Sequence, residues 1–168
     1  MKKFLLAAAA VLAISSQANA YDQNYLQFGL GADVIRSSDE NPSSVGGRAE
    51  WRGKEFDKTS TFGISHISPI IGIDADTRGA AYAFVGLLYD WNFYDRWSLV
   101  PNLGFGAYHQ GDSKDLGGWF EFHDSIEVDY RLDAKSQVGL ALTHMSNAGI
   151  YSHNPGKEDL MLTYNFAY

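Results

Sequence analysis

Three polar residues, His144, Ser146 and Glu158, stand where the surrounding pattern calls for apolar side chains. Val138, Leu140 and Leu142 alternate with Gln137, Gly139, Ala141 and Thr143, and the apolar parity runs on into His144 and Ser146. Leu160, Leu162, Tyr164, Phe166 and Tyr168 alternate with Asp159, Met161, Thr163, Asn165 and Ala167, and that parity reaches back to Glu158. A period of two is the signature of a strand. The two strands are consecutive and should pair antiparallel. Placing Glu158 opposite His144 also places Leu160 opposite Leu142 and Leu162 opposite Leu140, which keeps both apolar faces together. Directly opposed side chains have Cβ atoms about 4.5–5.5 Å apart, so the carboxylate can orient the imidazole. Ser146, on the same face, can give its proton to the other ring nitrogen. Nucleophile, base and orienter together are the arrangement of a serine hydrolase. A His-X-Ser at a strand end is commonly no more than interfacial polarity; the acid on the matching face is what points to chemistry.

The elements that must hold these residues are legible further upstream. The chain has 168 residues, 45% of them hydrophobic, so it has the length of a single domain. Lys2 and Lys3 precede the apolar run Phe4–Ile14 and an Ala18-Asn19-Ala20 cleavage pattern, which predicts a secretory signal peptide over 1–20 and one domain over 21–168. The run is too short to span a bilayer as a helix. An excess of 20 acidic over 13 basic residues argues against a nucleic-acid partner. The absence of cysteine excludes disulfides, thiolate catalysis and thiolate-bound metals. The five histidines, His66, His109, His123, His144 and His153, show no ligand spacing, so no metal and no cofactor is expected.

Aromatic content of 14% and 17 glycines fit short strands with tight turns. Phe120, Phe122, Ile126, Val128 and Tyr130 alternate with Glu121, His123, Ser125, Glu127 and Asp129, with Asp124 breaking the apolar face. Trp97, Leu99, Pro101, Leu103 and Phe105 alternate with Ser98, Val100, Asn102 and Gly104. Weaker patterns cover 24–36, 45–56, 61–74 and 80–92. Eight candidate strands, an even number, predict an all-β, eight-stranded antiparallel transmembrane barrel of the outer membrane. A soluble sandwich or lipocalin-like barrel is the competing fold, with apolar residues inside instead. The aromatic last strand favours the membrane, since outer-membrane barrels characteristically end this way. The lumen of so small a barrel is filled with side chains, so Glu121, Glu127, Asp129 and Arg131 are expected to form a packed network. The longer polar connections, 37–44, 110–117 and 147–157, should lie on the external side, which places the three candidate residues at the outer rim. Lys157, Lys114 and Arg78 are the cations expected in those loops, more plausibly as ordinary solvated charges than as a site.

The run His144-Met145-Ser146-Asn147-Ala148-Gly149, followed by Asn154-Pro155-Gly156 and Glu158, resembles the signature of the PagL family of outer-membrane lipid A 3-O-deacylases. The likeness is strong over 138–166 and fainter over 97–131, where Phe122 and Asp124 also fit. The resemblance implies Ser146 as nucleophile, His144 as base and Glu158 as orienter. It also implies Asn147, by its side-chain amide, and Gly149, by its backbone N–H, as oxyanion donors, with Asn154 ordering the loop. The implied substrate is lipid A of lipopolysaccharide, reached among outer-membrane lipids, and a homodimer is compatible with it. A barrel phospholipase, a lipid A acyltransferase and a non-catalytic barrel are the alternatives.

Overall fold

The protein's structure, a computed structural model, describes residues 23–34, 44–56 and 66–168. The expected signal peptide, most of the loop after the first strand and the start of the pattern over 61–74 lie outside the described residues. The strands are β1 (Tyr25–Asp33), β2 (Val45–Arg52), β3 (Ile67–Asp76), β4 (Ala81–Tyr89), β5 (Trp91–Tyr94), β6 (Trp97–His109), β7 (Phe120–Arg131), β8 (Ser136–Ser146) and β9 (Lys157–Ala167). No helix occurs among the described residues.

Apart from β4 and β5, which both pair with β6, each strand pairs antiparallel with its sequence neighbours, and β1 with β9 closes the sheet. β4 and β5 are one barrel strand interrupted at Asp90. Both lie on β6 in one register as far as Asn92, Leu88 opposite Asn102 and Trp91 opposite Leu99, and the register shifts only before Tyr94. The barrel therefore has eight strands, as the alternation predicts. Closure leaves no open edge, so every strand can satisfy its backbone polar groups within the protein, as a bilayer requires.

The polarity of the wall is inverted relative to a soluble barrel. Leu30 is 72% exposed, Leu162 67% and Leu103 62%, whereas Gln27, Arg52 and Glu121 are wholly buried. Aromatic side chains gather at both ends of the apolar band. Trp97 and Tyr130 meet at 4.9 Å at one rim, and Phe120 and Phe122 at 5.3 Å at the other. An apolar exterior with aromatic girdles is that of a membrane-spanning barrel.

The lumen is a packed polar core. Glu127 and Asp129 sit there as expected, but their cation is Arg52 of β2, which also pairs with Glu50 at 2.7 Å. Gln27, Thr163 and Asn165 donate to Glu127. Higher in the barrel, Arg48 makes a two-pronged pair with Asp74, both contacts at 2.7 Å. Its guanidinium also meets Nε2 of His123, whose ring stacks on Phe84 at 4.2 Å. Arg48 and Asp74 compensate one another, while Arg52 is shared among three carboxylates; pairing of this kind is what lets a low-dielectric interior hold charge.

Lys157 departs from the expectation. It is the first residue of β9, opposite Met145, and points inward. There it is buried, with Nζ 3.3 Å from Asp159 and 3.5 Å from Asp76. Its parity is that of Asp159, the lumen set, so it is not a loop cation. Lys114 is also buried. Arg78 stays in the β3–β4 turn, half-exposed, with Nε donating to the Asp112 carbonyl.

Candidate active site

β8 and β9 pair with His144 opposite Glu158, Leu142 opposite Leu160 and Leu140 opposite Leu162, the register that the two apolar faces demand. Across that pair, Nδ1–H of His144 donates to Oε1 of Glu158 at 3.0 Å. The His144 side chain is 39% exposed and that of Glu158 22%. The contact therefore lies at the surface of the barrel wall, shielded but not dry. A proton held on Nδ1 by the carboxylate leaves Nε2 with its lone pair, the form in which imidazole acts as a base.

Ser146 is the last residue of β8, on the same outward face, opposite Phe122 of β7. Its hydroxyl makes no hydrogen bond to the imidazole in this structure; the only described side-chain partner of His144 is Glu158. Such contacts are often long in the absence of substrate. On the other flank, Asp124 of β7 is the direct cross-strand neighbour of His144. Apart from His109 at the end of β6, Asp124, His144 and Glu158 are the Asp, Glu, His, Lys and Arg side chains of outward parity among the described strands. They are contiguous, and Ser146 adjoins them. Charged groups on the lipid face are costly except near the interface, and this cluster sits at the loop end of its strands.

The chain leaves Ser146 through a tight turn. Ile150 N–H donates to the Asn147 carbonyl at 3.0 Å, and the two central residues, Ala148 and Gly149, have φ of +53° and +84°. Positive φ at both central positions is the type I′ pattern, which Gly adopts without strain. Asn147 is completely buried beneath this turn. Its Nδ2 donates to the carbonyls of Leu116 at 2.6 Å and His153 at 2.9 Å, tying the β6–β7 loop to the β8–β9 loop. Its Oδ1 accepts the Gly149 N–H at 2.9 Å, and its own N–H donates to Oδ1 of Asn154 at 3.1 Å.

Both hydrogens of the Asn147 side-chain amide are engaged by loop carbonyls here, so Asn147 clasps the two loops together. Gly149 N–H is engaged by a side-chain oxygen at the exposed surface of the turn. Asn154 lies in the same loop and accepts the Asn147 N–H. His153 is an exposed loop residue, and His109 and His123 do not form a pair, since His123 is taken up in the lumen stack. Among the described residues no group of His, Asp and Glu has the geometry to hold a metal ion. Asp124 carries the one site signal that the alternation showed without giving it a role: a charge breaking an apolar face.

Residues 42–167 match the family model described as lipid A 3-O-deacylase (PagL). A lipid A deacylase PagL from Bordetella bronchiseptica is 29% identical over 83 residues, which span 48% of this chain and 47% of that protein. The chain thus matches about half the length of this curated relative. Among solved structures, a crystal structure of the outer membrane enzyme PagL superposes with a TM-score of 0.62 at 22% identity, covering 86% of this chain and 99% of the other. A designed transmembrane β-barrel superposes at 0.58 with 7% identity, covering 87% and 95%. These two likenesses concern the fold. The family match covers most of the chain, including every strand from β2 to β9. The chain belongs to the lipid A 3-O-deacylase (PagL) family.

Proposed function

We propose that this protein is an outer-membrane serine esterase that removes the 3-O-linked 3-hydroxyacyl chain of lipid A. The observation that carries this reading is the His144–Glu158 hydrogen bond, with Ser146 on the same face, on a wall otherwise apolar. A substrate of this site must be amphiphilic, with its labile ester at headgroup depth and its chains beside the wall. Lipid A meets that requirement, and both the family model and the curated relative carry its name.

His144 takes the Ser146 proton on Nε2 as Oγ attacks the ester carbonyl. Glu158 stabilises the imidazolium that results. The tetrahedral oxyanion displaces the Asn147 side-chain oxygen from the Gly149 N–H and takes that donor, with the positive-φ turn presenting it. An oxyanion is the stronger acceptor, and one pre-aimed donor supplies a factor of about 10²–10³ in rate. His144 then returns the proton to the departing sugar hydroxyl. Water attacks the acyl-serine by the same route in reverse and releases the 3-hydroxy fatty acid. Leu142, Leu160 and Ile126, the outward residues one step below the site, line the path of the acyl chain. The site faces the outer leaflet, since the loops that frame it are the longer set.

The test is purified protein in mixed micelles with lipid A or with phosphatidylcholine. The proposal expects free 3-hydroxy fatty acid from lipid A and no fatty acid from phosphatidylcholine. Release from the phospholipid alone would make the barrel a phospholipase, and an extra acyl chain on lipid A would make it a transferase.

A further inference from the structure

Gly156 lies in the β8–β9 loop, between Pro155 and the start of β9, buried and with φ of +67°. A Pro-Gly pair with positive φ at the glycine is ordinary turn chemistry, and that alone accounts for a glycine here. The surroundings add something the turn does not require. A Cβ at this position would stand 2.9 Å from Cε1 of His144, 3.5 Å from the Met145 carbonyl oxygen and 3.7 Å from Oε1 of Glu158. The last two are ordinary contacts. The first is a clash, and the atom it meets is the edge of the imidazole.

We propose that Gly156 is a positioning residue for His144: its missing side chain leaves the space that the imidazole edge needs while Nδ1–H reaches Glu158. This rests on the reading of His144 as the base. A Cβ–carbon contact needs about 3.4 Å or more to be ordinary. The ring must therefore retreat by about half an ångström, and it is the movable partner because it ends a rotatable side chain. The fold tolerates that shift cheaply, but the base does not. Misplacing reacting groups by about 1 Å can cost about 100-fold in rate, so a shift of this size costs roughly 10-fold or more.

The experiment uses the full mature chain in detergent micelles, with Gly156→Ala and Gly156→Asn. Asn accepts positive φ far better than Ala but carries the same Cβ. Gly79→Ala, in the β3–β4 turn, is the control: φ there is +85°, yet the first atom a Cβ would meet is Gly111 Cα of the β6–β7 loop, 4.0 Å away. Folding is read by heat-modifiable gel mobility, kcat and KM on lipid A micelles, and the His144 Cε1–H resonance by histidine-selective NMR. The proposal expects both Gly156 variants to fold, to lose roughly 10-fold or more in kcat with little change in KM, and to shift the His144 resonance alone among the five histidines. Gly79→Ala should keep wild-type kcat. An unmoved His144 resonance would overturn the proposal whatever the activity. Recovery of kcat in Gly156→Asn would reduce Gly156 to a turn residue, as would failure of both variants to fold. Ser146→Ala run alongside keeps the two readings apart. Activity surviving in it removes the hydrolase triad, while the resonance shift still tests the packing of Gly156 on the ring.

Discussion

Replacing Glu158 by Gln tests whether the carboxylate acts by charge. The side chain keeps its size and can still accept a hydrogen bond from Nδ1–H, now 3.0 Å from Oε1, so the ring need not move. What disappears is the attraction between the carboxylate and the imidazolium formed in the transition state. Two unit charges about 4 Å apart interact by about 4 kcal/mol at an effective dielectric near 20 and by about 1 kcal/mol in water. With the two side chains 39% and 22% exposed, the site falls between these limits. A loss of about 2–3 kcal/mol corresponds to a roughly 30- to 150-fold fall in kcat. Because the charge on His144 exists only along the reaction, the fall should be in kcat, with KM nearly unchanged. The assay is release of 3-hydroxy fatty acid from lipid A micelles over a range of substrate concentrations. A variant within threefold of wild type, or one impaired only in KM, would refute the electrostatic role of Glu158.

Other perturbations separate the site from the scaffold. Asp124→Asn should cost less than about fivefold in kcat, since Asp124 neighbours the His144 side chain across the strands without a hydrogen bond to it, which leaves Glu158 to orient the ring. Asn147→Ala removes the clasp between two loops and leaves buried carbonyls unmatched, so thermal stability should fall by about 1–3 kcal/mol together with activity. Arg52→Ala leaves Glu50 and Glu127 buried without their cation, and refolding into vesicles should show a loss of about 3–5 kcal/mol. Leu140→Arg, on the outward face near mid-wall, should cost about 2–4 kcal/mol in the same refolding experiment, whereas a soluble protein would tolerate it.

The register of the last hairpin is legible because β8 and β9 carry long, strict alternations and their polar interruptions fall at matching parity. A slip of one residue would set the apolar face of one strand beside the polar face of the other, so one pairing stands out. β2 is harder to read. Its outward set includes Gly47 and Ala49, too small to mark a face, and so its inward residues Arg48 and Arg52 drew no notice as the lumen cations. Lys157 reads as a loop cation for a different reason. It adjoins a Gly-Pro-rich loop, and only its pairing with Met145 shows that the strand has already begun. The role of Asn147 lies in contacts with Leu116 and His153, distant or beyond the local turn, and no local spacing encodes them. The oxyanion role expected of its amide rests on resemblance, not on local spacing.

The central claim is that Ser146 is the nucleophile of a lipid A deacylase, and mass spectrometry of lipid A tests it most directly. Gram-negative cells expressing the wild-type chain should lose one ester-linked 3-hydroxyacyl chain from lipid A. Cells with Ser146→Ala, folded in the outer membrane to the same level, should keep it. Unchanged lipid A under the wild-type chain, or equal deacylation by the Ser146→Ala variant, would contradict the account.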